Sequence, residues 1–153
     1  MKKLLLLAFI LISSTFQSAS AEKIPVKIAS IEVISTHHDE TEIGDWINFE
    51  IVNDVYTDDK LYLKKGTQIS GFVDFYHPNG WAGDSAEVKF KKFETTDENN
   101  KKITINYPIN VNGCRLKSNG MKQYLFWTIV SVIRGSEIYI EPDTKTFNIF
   151  LTQ

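Results

Sequence analysis

The sequence predicts a mostly β fold, a small antiparallel β-barrel that is closed or partly open. Apolar and polar residues alternate in several short segments, and side chains on a strand change face at every residue. Clusters of Gly, Asn and Asp separate these segments. The pattern Tyr, aliphatic, two turn residues, Gly or Asp, Thr occurs at 62–67 and again at 139–144, and predicts two strand-turn-strand halves with pseudo-twofold symmetry. Two unrelated turns would give the same pattern, because turn residues come from a small set.

The segment 61–93 predicts a strand, a tight turn, a second strand, a glycine-rich loop and a third strand. Alternation in the second strand places four residues on one face, Ile69, Gly71, Val73 and Phe75. Phe72 and Tyr76 then point to the opposite face, so the strand carries aromatic residues on both faces. The third strand begins with a further alternation, Ala86, Val88 and Phe90.

Shorter alternations predict strands at 24–28, 47–51, 103–111, 138–140 and 147–151. Pro108 donates no ladder hydrogen bond, so its strand is expected at a sheet edge or bent there. The apolar segment 121–133 fits either period. Its β-branched content favours a strand, whereas its length and its lack of internal Gly or Pro favour a short buried helix, which we predict.

The first 21 residues have the order of a secretory signal peptide. Lys2 and Lys3 precede an apolar run at 4–12, and small residues at 19–21 form a cleavage site. The alternative is a retained anchor, but nine helical residues span only about 14 Å against a membrane core of about 30 Å. We therefore expect cleavage, a single barrel domain over 22–153 without a transmembrane helix, and a periplasmic or secreted location in a bacterial envelope.

Charge argues against a nucleic-acid-binding protein, and cysteine content excludes a fold held by internal disulfides. The chain has 17 basic and 19 acidic residues, a net charge of −2, and loss of Lys2 and Lys3 would make it more acidic. A nucleic-acid-binding protein usually shows a basic excess, so no such partner is expected. The single cysteine, Cys114, cannot form an internal disulfide. A buried thiol is favoured over intermolecular pairing.

One stretch carries a family resemblance. Its residues are Lys65-Gly66-Thr67, Ile69 and Gly71, then Gly83, Ala86, Val88, Phe90 and Phe93, then an Asn-rich turn, Ile103 and Ile105. Their order and approximate spacing resemble part of the periplasmic β-barrel domain of TrbI-like subunits of type IV secretion channels. The resemblance covers Leu61 to about Tyr107 and implies a closed periplasmic barrel. The chain lacks the arginine that the family has near Ala86, and the resemblance implies the fold rather than a channel.

Catalytic and metal sites are not favoured by the sequence. Ser70 or Ser85 with His77 and Asp84 would supply the groups of a hydrolase, but no Gly-x-Ser-x-Gly elbow is present. A metal site would draw on one cluster of ligand-type residues, with His77 as a further ligand: His37, His38, Asp39, Glu40 and Glu42. Adjacent strand residues point in opposite directions, so a solvated loop is the preferred interpretation. We predict no enzyme activity, no metal and no cofactor.

The loop 77–84 is the candidate binding site, because aromatic residues on loops commonly anchor partners or sugars. The candidate residues are His77, Trp81, Asp84, Tyr76 and Phe72. The alternative is that Trp81 folds back and plugs the barrel end, since Trp is often buried. We expect a non-catalytic envelope protein that docks onto another envelope component or onto its own copies. The alternative function is a module that binds a small ligand or a cell-wall glycan through this loop.

Overall fold

The computed structural model describes residues 23–37, 40–97, 99–113 and 131–152. Every regular secondary-structure element in these residues is a β-strand, which confirms the mostly β prediction. The predicted signal peptide, Cys114 and most of the predicted helix at 121–133 lie outside them, and 131–133 form a turn. The strands are β1 (Lys23–Ser30), β2 (Ile34–Ser35), β3 (Trp46–Ile51), β4 (Val55–Thr57), β5 (Lys60–Leu63), β6 (Gln68–His77), β7 (Glu87–Thr96), β8 (Lys102–Ile105), β9 (Ile109–Asn112), β10 (Tyr139–Ile140) and β11 (Thr146–Thr152).

The main sheet is a curled, antiparallel half-barrel. Its strands follow the order β11-β1-β3-β6-β7-β8, and β9 also pairs with β7. The edge strands β8 and β11 approach each other, and the rings of Tyr107 and Phe150 lie 5.1 Å apart beside them. No backbone ladder joins these two edges within the described chain. Of the two forms that the sequence left open, the structure is therefore the partly open barrel.

Two further two-stranded sheets, β2–β10 and β4–β5, lie beside the main sheet, and they reveal a repeated arrangement of strands. β1 is followed by the short β2, which pairs with β10, and β10 leads into β11, the partner of β1. β3 is followed by the short β4, which pairs with β5, and β5 leads into β6, the partner of β3. The two units thus share one arrangement, as the repeated sequence pattern predicts.

The turns of the two units also share their backbone geometry. Gly66 has φ 82° and Asp143 has φ 59°, so both are left-handed. The amide of Gly66 donates to the carbonyl of Ile51 at 2.8 Å, at the end of β3. The amide of Asp143 donates to the carbonyl of Ser30 at 2.9 Å, at the end of β1. Gly and Asp are residues that tolerate this conformation, which confirms the predicted turn chemistry.

The core lies inside the curl of the sheet and is built around phenylalanine rings. Phe49 contacts Phe90, Phe93 and Phe147 in edge-on geometry, with ring centroids 5.4, 5.6 and 6.1 Å away. Gly71 lies beneath this cluster, because a Cβ there would be 2.7 Å from the Phe93 ring. The predicted core residues are also buried: Ile69, Val73, Val88 and Ile105.

The prediction that Phe75 shares one face of β6 with Val73 is wrong. The register of β6 against β7 shifts at Asp74 and Lys91, which are absent from the ladder pairs and whose side chains lie 3.4 Å apart. Beyond the shift, Tyr76 packs against the core and Phe75 is 38% exposed. Phe75 therefore does not share the face of Val73. A β-bulge changes which residues face inward, and strict alternation cannot foresee it.

The prediction for Pro108 is confirmed. The alternation at 103–111 is divided into β8 and β9, with Pro108 in the interruption. Both strands pair with β7, and β8 is an edge of the sheet. The chain bends where the proline cannot donate a ladder hydrogen bond.

Candidate functional site

The loop 77–84 is closed on itself by backbone hydrogen bonds. The amide of Gly80 donates to the carbonyl of Asp84 at 2.7 Å, and the amide of Asp84 donates to that of Trp81 at 3.3 Å. Ala82 and Gly83 both have left-handed φ, 62° and 71°. For Ala82 this conformation costs about 1–2 kcal/mol. Such strain persists only where neighbouring structure holds the backbone in place.

The segment 133–136 provides that support. The amide of Gly83 donates to Ile133 at 2.8 Å, and the amide of Gly135 donates to Gly80 at 2.8 Å. The side-chain amide of Asn79 donates to the carbonyl of Gly135 at 2.7 Å. These bonds fix the loop from a part of the chain more than fifty residues away.

Gly135 is the point of closest approach between the loop and its support. A Cβ at this position would overlap the backbone carbonyl of Asp84 and lie 2.6 Å from the amide nitrogen of Ser85. Only glycine fits without displacing the loop backbone. The sequence contains Gly135, but its role depends on a contact that no local pattern encodes.

Trp81 lies at the apex of the loop and is 71% exposed. The alternative in which this side chain plugs the barrel end is therefore wrong. A large aromatic side chain that remains in water is informative, because its burial would release much apolar surface. Ile133, on the supporting segment, and Val132, directly before it, are also exposed.

Two of the candidate residues, His77 and Asp84, lie together at the base of the loop. His77 Nε2 lies 2.8 Å from Asp84 Oδ2, and both side chains are about half exposed. A His–Asp pair is two parts of a hydrolytic triad, and a nucleophile must lie against the other ring nitrogen. Of the serines nominated from the sequence, Ser70 Oγ donates to Asn48 and Ser85 Oγ donates to the carbonyl of Gly83. The His77–Asp84 pair joins the two ends of the loop.

Tyr76 lies apart from Trp81, on the inner side of the loop. Its hydroxyl donates to the carbonyl of Thr36 at 3.3 Å. An open pocket of about 270 Å³ lies there, and His37 Nδ1 is 2.9 Å from Glu137 Oε2 at its wall. Arg134 also lines this pocket.

The candidate metal cluster is only partly described. His38 and Asp39 lie outside the described residues, and His37 is paired with Glu137 as above. Among the residues that the structure does describe, no three His, Cys, Asp or Glu side chains are grouped closely enough to hold a metal ion.

Phe72 does not belong to the loop site. It lies on the outer face of the main sheet, where its ring is 5.1 Å from that of Trp46. The ammonium of Lys92 lies 4.9 Å from the Trp46 ring and 5.6 Å from the Phe72 ring. Trp46 and Lys92 were not candidates, although a Trp in the polar phase of a half-buried strand is a signal that could have found them.

One carboxylate lies between two lysines beside this aromatic pair. Glu94 accepts from Lys102 at 2.7 Å and from Lys92 at 2.9 Å. Lys102, and then Lys92, hold the pKa of Glu94 below its ordinary value of 4.5. A carboxylate that accepts charge-assisted hydrogen bonds is stabilised in its ionised form.

No protein-family model, curated protein or solved structure compared with the chain matches it. The resemblance of 61–107 to TrbI-like barrels stays a prediction. No helix of the described ranges is long and apolar enough to span a membrane. The geometry of the site is that of a fixed loop that presents an exposed aromatic side chain.

Proposed function

We propose that this chain is an exported, non-catalytic interaction module that docks onto another protein of the bacterial envelope through Trp81. The exposure of Trp81 at the apex of a hydrogen-bonded loop is the observation that carries the proposal. Exposed aromatic side chains surrounded by polar groups are typical anchors of protein interfaces. The signal-like sequence at 1–21 supports a periplasmic or secreted location.

The loop is suited to binding because its shape exists before the partner arrives. Its amides donate to carbonyls of the loop and to the carbonyl of Ile133, the carbonyl of Gly80 accepts from the amide of Gly135, and the His77–Asp84 pair joins its ends. A preformed loop loses little conformational entropy on association, which favours affinity. The strained backbone of Ala82 fits the same interpretation, since strain is retained where it positions a functional group.

The test compares two single-aromatic variants of the full chain. Trp81→Ala removes the proposed anchor, and Tyr56→Ala removes an aromatic side chain, 58% exposed, from the β4–β5 hairpin. Size-exclusion chromatography with light scattering, combined with a pull-down from envelope extract, should give one complex for wild type and Tyr56→Ala. Trp81→Ala should lose it, by about tenfold or more in affinity. A protein that stays monomeric and retains no partner contradicts the proposal.

A second candidate function uses the same loop to bind a small ligand or glycan. The observation that favours it is the polar His77–Asp84 pair in the loop that carries the exposed indole. Tryptophan fluorescence titrated with soluble cell-wall fragments tests it. An unchanged response in Trp81→Ala, or none in wild type, removes this candidate.

A further inference from the structure

A second aromatic surface lies on the outer face of the main sheet, and it is independent of the loop 77–84. We call it the outer aromatic face, and it consists of Trp46, Phe72, Phe75, Lys89 and Lys92. Trp46 and Phe72 are directly paired across β3 and β6, and Phe72 is paired with Lys92 of β7. The rings of Trp46 and Phe72 lie 5.1 Å apart and are tilted by 56°. Rigid strands therefore hold the first part of this face in place.

Phe75 extends the face along β6. The register shift at Asp74 turns Phe75 outward, where it is 38% exposed, and the ammonium of Lys89 lies 4.4 Å from its ring. Phe75 is three positions after Phe72, and the usual rise of a strand places their Cα atoms about 10 Å apart. This distance is close to the length of a disaccharide unit in an extended, β-linked polysaccharide.

Each lysine of this face lies beside a carboxylate, and Lys92 shares its carboxylate with Lys102. Lys92 lies 2.9 Å from Glu94, and Lys89 lies 3.4 Å from Glu87. Lys91, which flanks the face, lies 3.4 Å from Asp74. Glu32, whose carboxylate accepts from Asn48 beside the rings, supplies a fourth negative charge against the four lysines Lys89, Lys91, Lys92 and Lys102. The charge is therefore balanced locally, so the face matches an uncharged ligand rather than a polyanion.

Ordered polar groups border the rings. Ser70 Oγ donates to Asn48 Oδ1 at 2.8 Å, and Asn48 Nδ2 donates to Glu32 Oε1 at 2.8 Å. Asn48 lies two residues after Trp46 on β3, and Ser70 lies two residues before Phe72 on β6. Asn48 and Ser70 are paired with each other on the same outward phase as the two rings. A sugar ring has an apolar face of C–H groups and a rim of hydroxyls. Aromatic rings beside fixed donors and acceptors match both features.

We propose that the outer aromatic face binds an uncharged, extended, β-linked polysaccharide. One sugar ring stacks on the Trp46–Phe72 pair, and a ring further along the same chain stacks on Phe75. Lys92 and Lys89 lie over these rings on long flexible stems, and they move aside to donate to sugar hydroxyls. The balanced charge and the spacing of the rings favour this ligand over a protein.

Isothermal titration calorimetry with hexamers and dimers from chitin and from cellulose tests the proposal on the full mature chain. At least one hexamer should bind, and its dimer should bind at least about tenfold more weakly, because only the longer chain reaches both ring positions. Trp46→Ala and Phe75→Ala should each weaken hexamer binding by about tenfold or more. Phe75→Leu keeps the apolar volume without the ring and should lose affinity equally.

Tyr56→Ala is the control and should bind the hexamer as wild type does. The loop proposal is tested separately by the pull-down with Trp81→Ala, so failure here and failure there are distinguishable. Circular dichroism checks that each variant is folded. The proposal is overturned if neither hexamer binds, or if folded Phe75→Leu and Trp46→Ala bind unchanged. A photo-crosslinker at position 46 that captures a protein while no hexamer binds would also overturn it.

Discussion

Ala82 is the residue at which the loop 77–84 departs most from what its sequence prefers. Its φ of 62° is left-handed, although alanine has a Cβ that this conformation crowds. The next residue, Gly83, has the same sign of φ and donates to Ile133. The hydrogen bonds around Ala82 therefore stabilise a left-handed backbone conformation that alanine by itself does not favour.

Replacing Ala82 with glycine should stabilise the protein. Ala82→Gly removes a penalty of about 1–2 kcal/mol and gains unfolded-state entropy that offsets part of it. We expect the free energy of unfolding to rise by about 0.5–1 kcal/mol, measured by urea denaturation. Ala86→Gly is the matched control, because Ala86 is fully buried and has no positive φ, and it should lose stability. A loss of stability in Ala82→Gly would show that the residue is not strained.

The fold perturbs the titration of Glu94. Lys102 and Lys92 lower its pKa from 4.5 in the folded state, so this carboxylate stabilises the fold at neutral pH. That contribution disappears as the pH falls from about 4.5 through the lowered value. Nuclear magnetic resonance titration should give a midpoint below 4.5 for Glu94, and a higher midpoint in Lys102→Met than in Lys92→Met. An equal and ordinary midpoint in all three proteins would show that neither lysine acts on Glu94.

At the scale of elements, alternation predicts most strands, because it records which face is buried. It fails at Phe75 and Tyr76, where the pairing of β6 with β7 shifts at Asp74 and Lys91. A shift of this kind arises from the partner strand, and a single segment does not encode it. The grouping of Trp46 with Lys92 escapes prediction for the same reason, since β3 and β7 meet only through β6.

The repeated turn is the element that sequence predicts best, and its two copies should respond alike. Gly66→Ala and Asp143→Ala each place alanine in a left-handed backbone, and a Cβ at position 66 would meet no neighbouring atom within 4 Å. Each variant should lose about 0.5–1 kcal/mol of unfolding free energy through backbone strain alone. Lys65→Ala, which lacks a positive φ, should change it by less than about 0.5 kcal/mol. A neutral Gly66→Ala would contradict the equivalence of the turns.

At the scale of the whole molecule, the described strands form a half-barrel around a phenylalanine core, and the two aromatic surfaces proposed as binding sites lie in water. One is the apex of the loop 77–84, and the other is the outer aromatic face on β3, β6 and β7. The buried core side chains and the strand ladders stabilise the backbone. The backbone in turn holds exposed side chains such as Trp81 in position for binding.

Cross-linking from the loop apex tests the central claim most directly. A photo-crosslinking phenylalanine derivative, which keeps an aromatic ring at the anchor position, replaces Trp81 in the full-length chain, and the same group at Tyr56 serves as the control site. Irradiation in cells should give one adduct of discrete mass from position 81 and none from position 56, and that mass distinguishes a second copy from another envelope protein. No adduct from position 81, or the same adducts from both positions, would contradict docking through this loop.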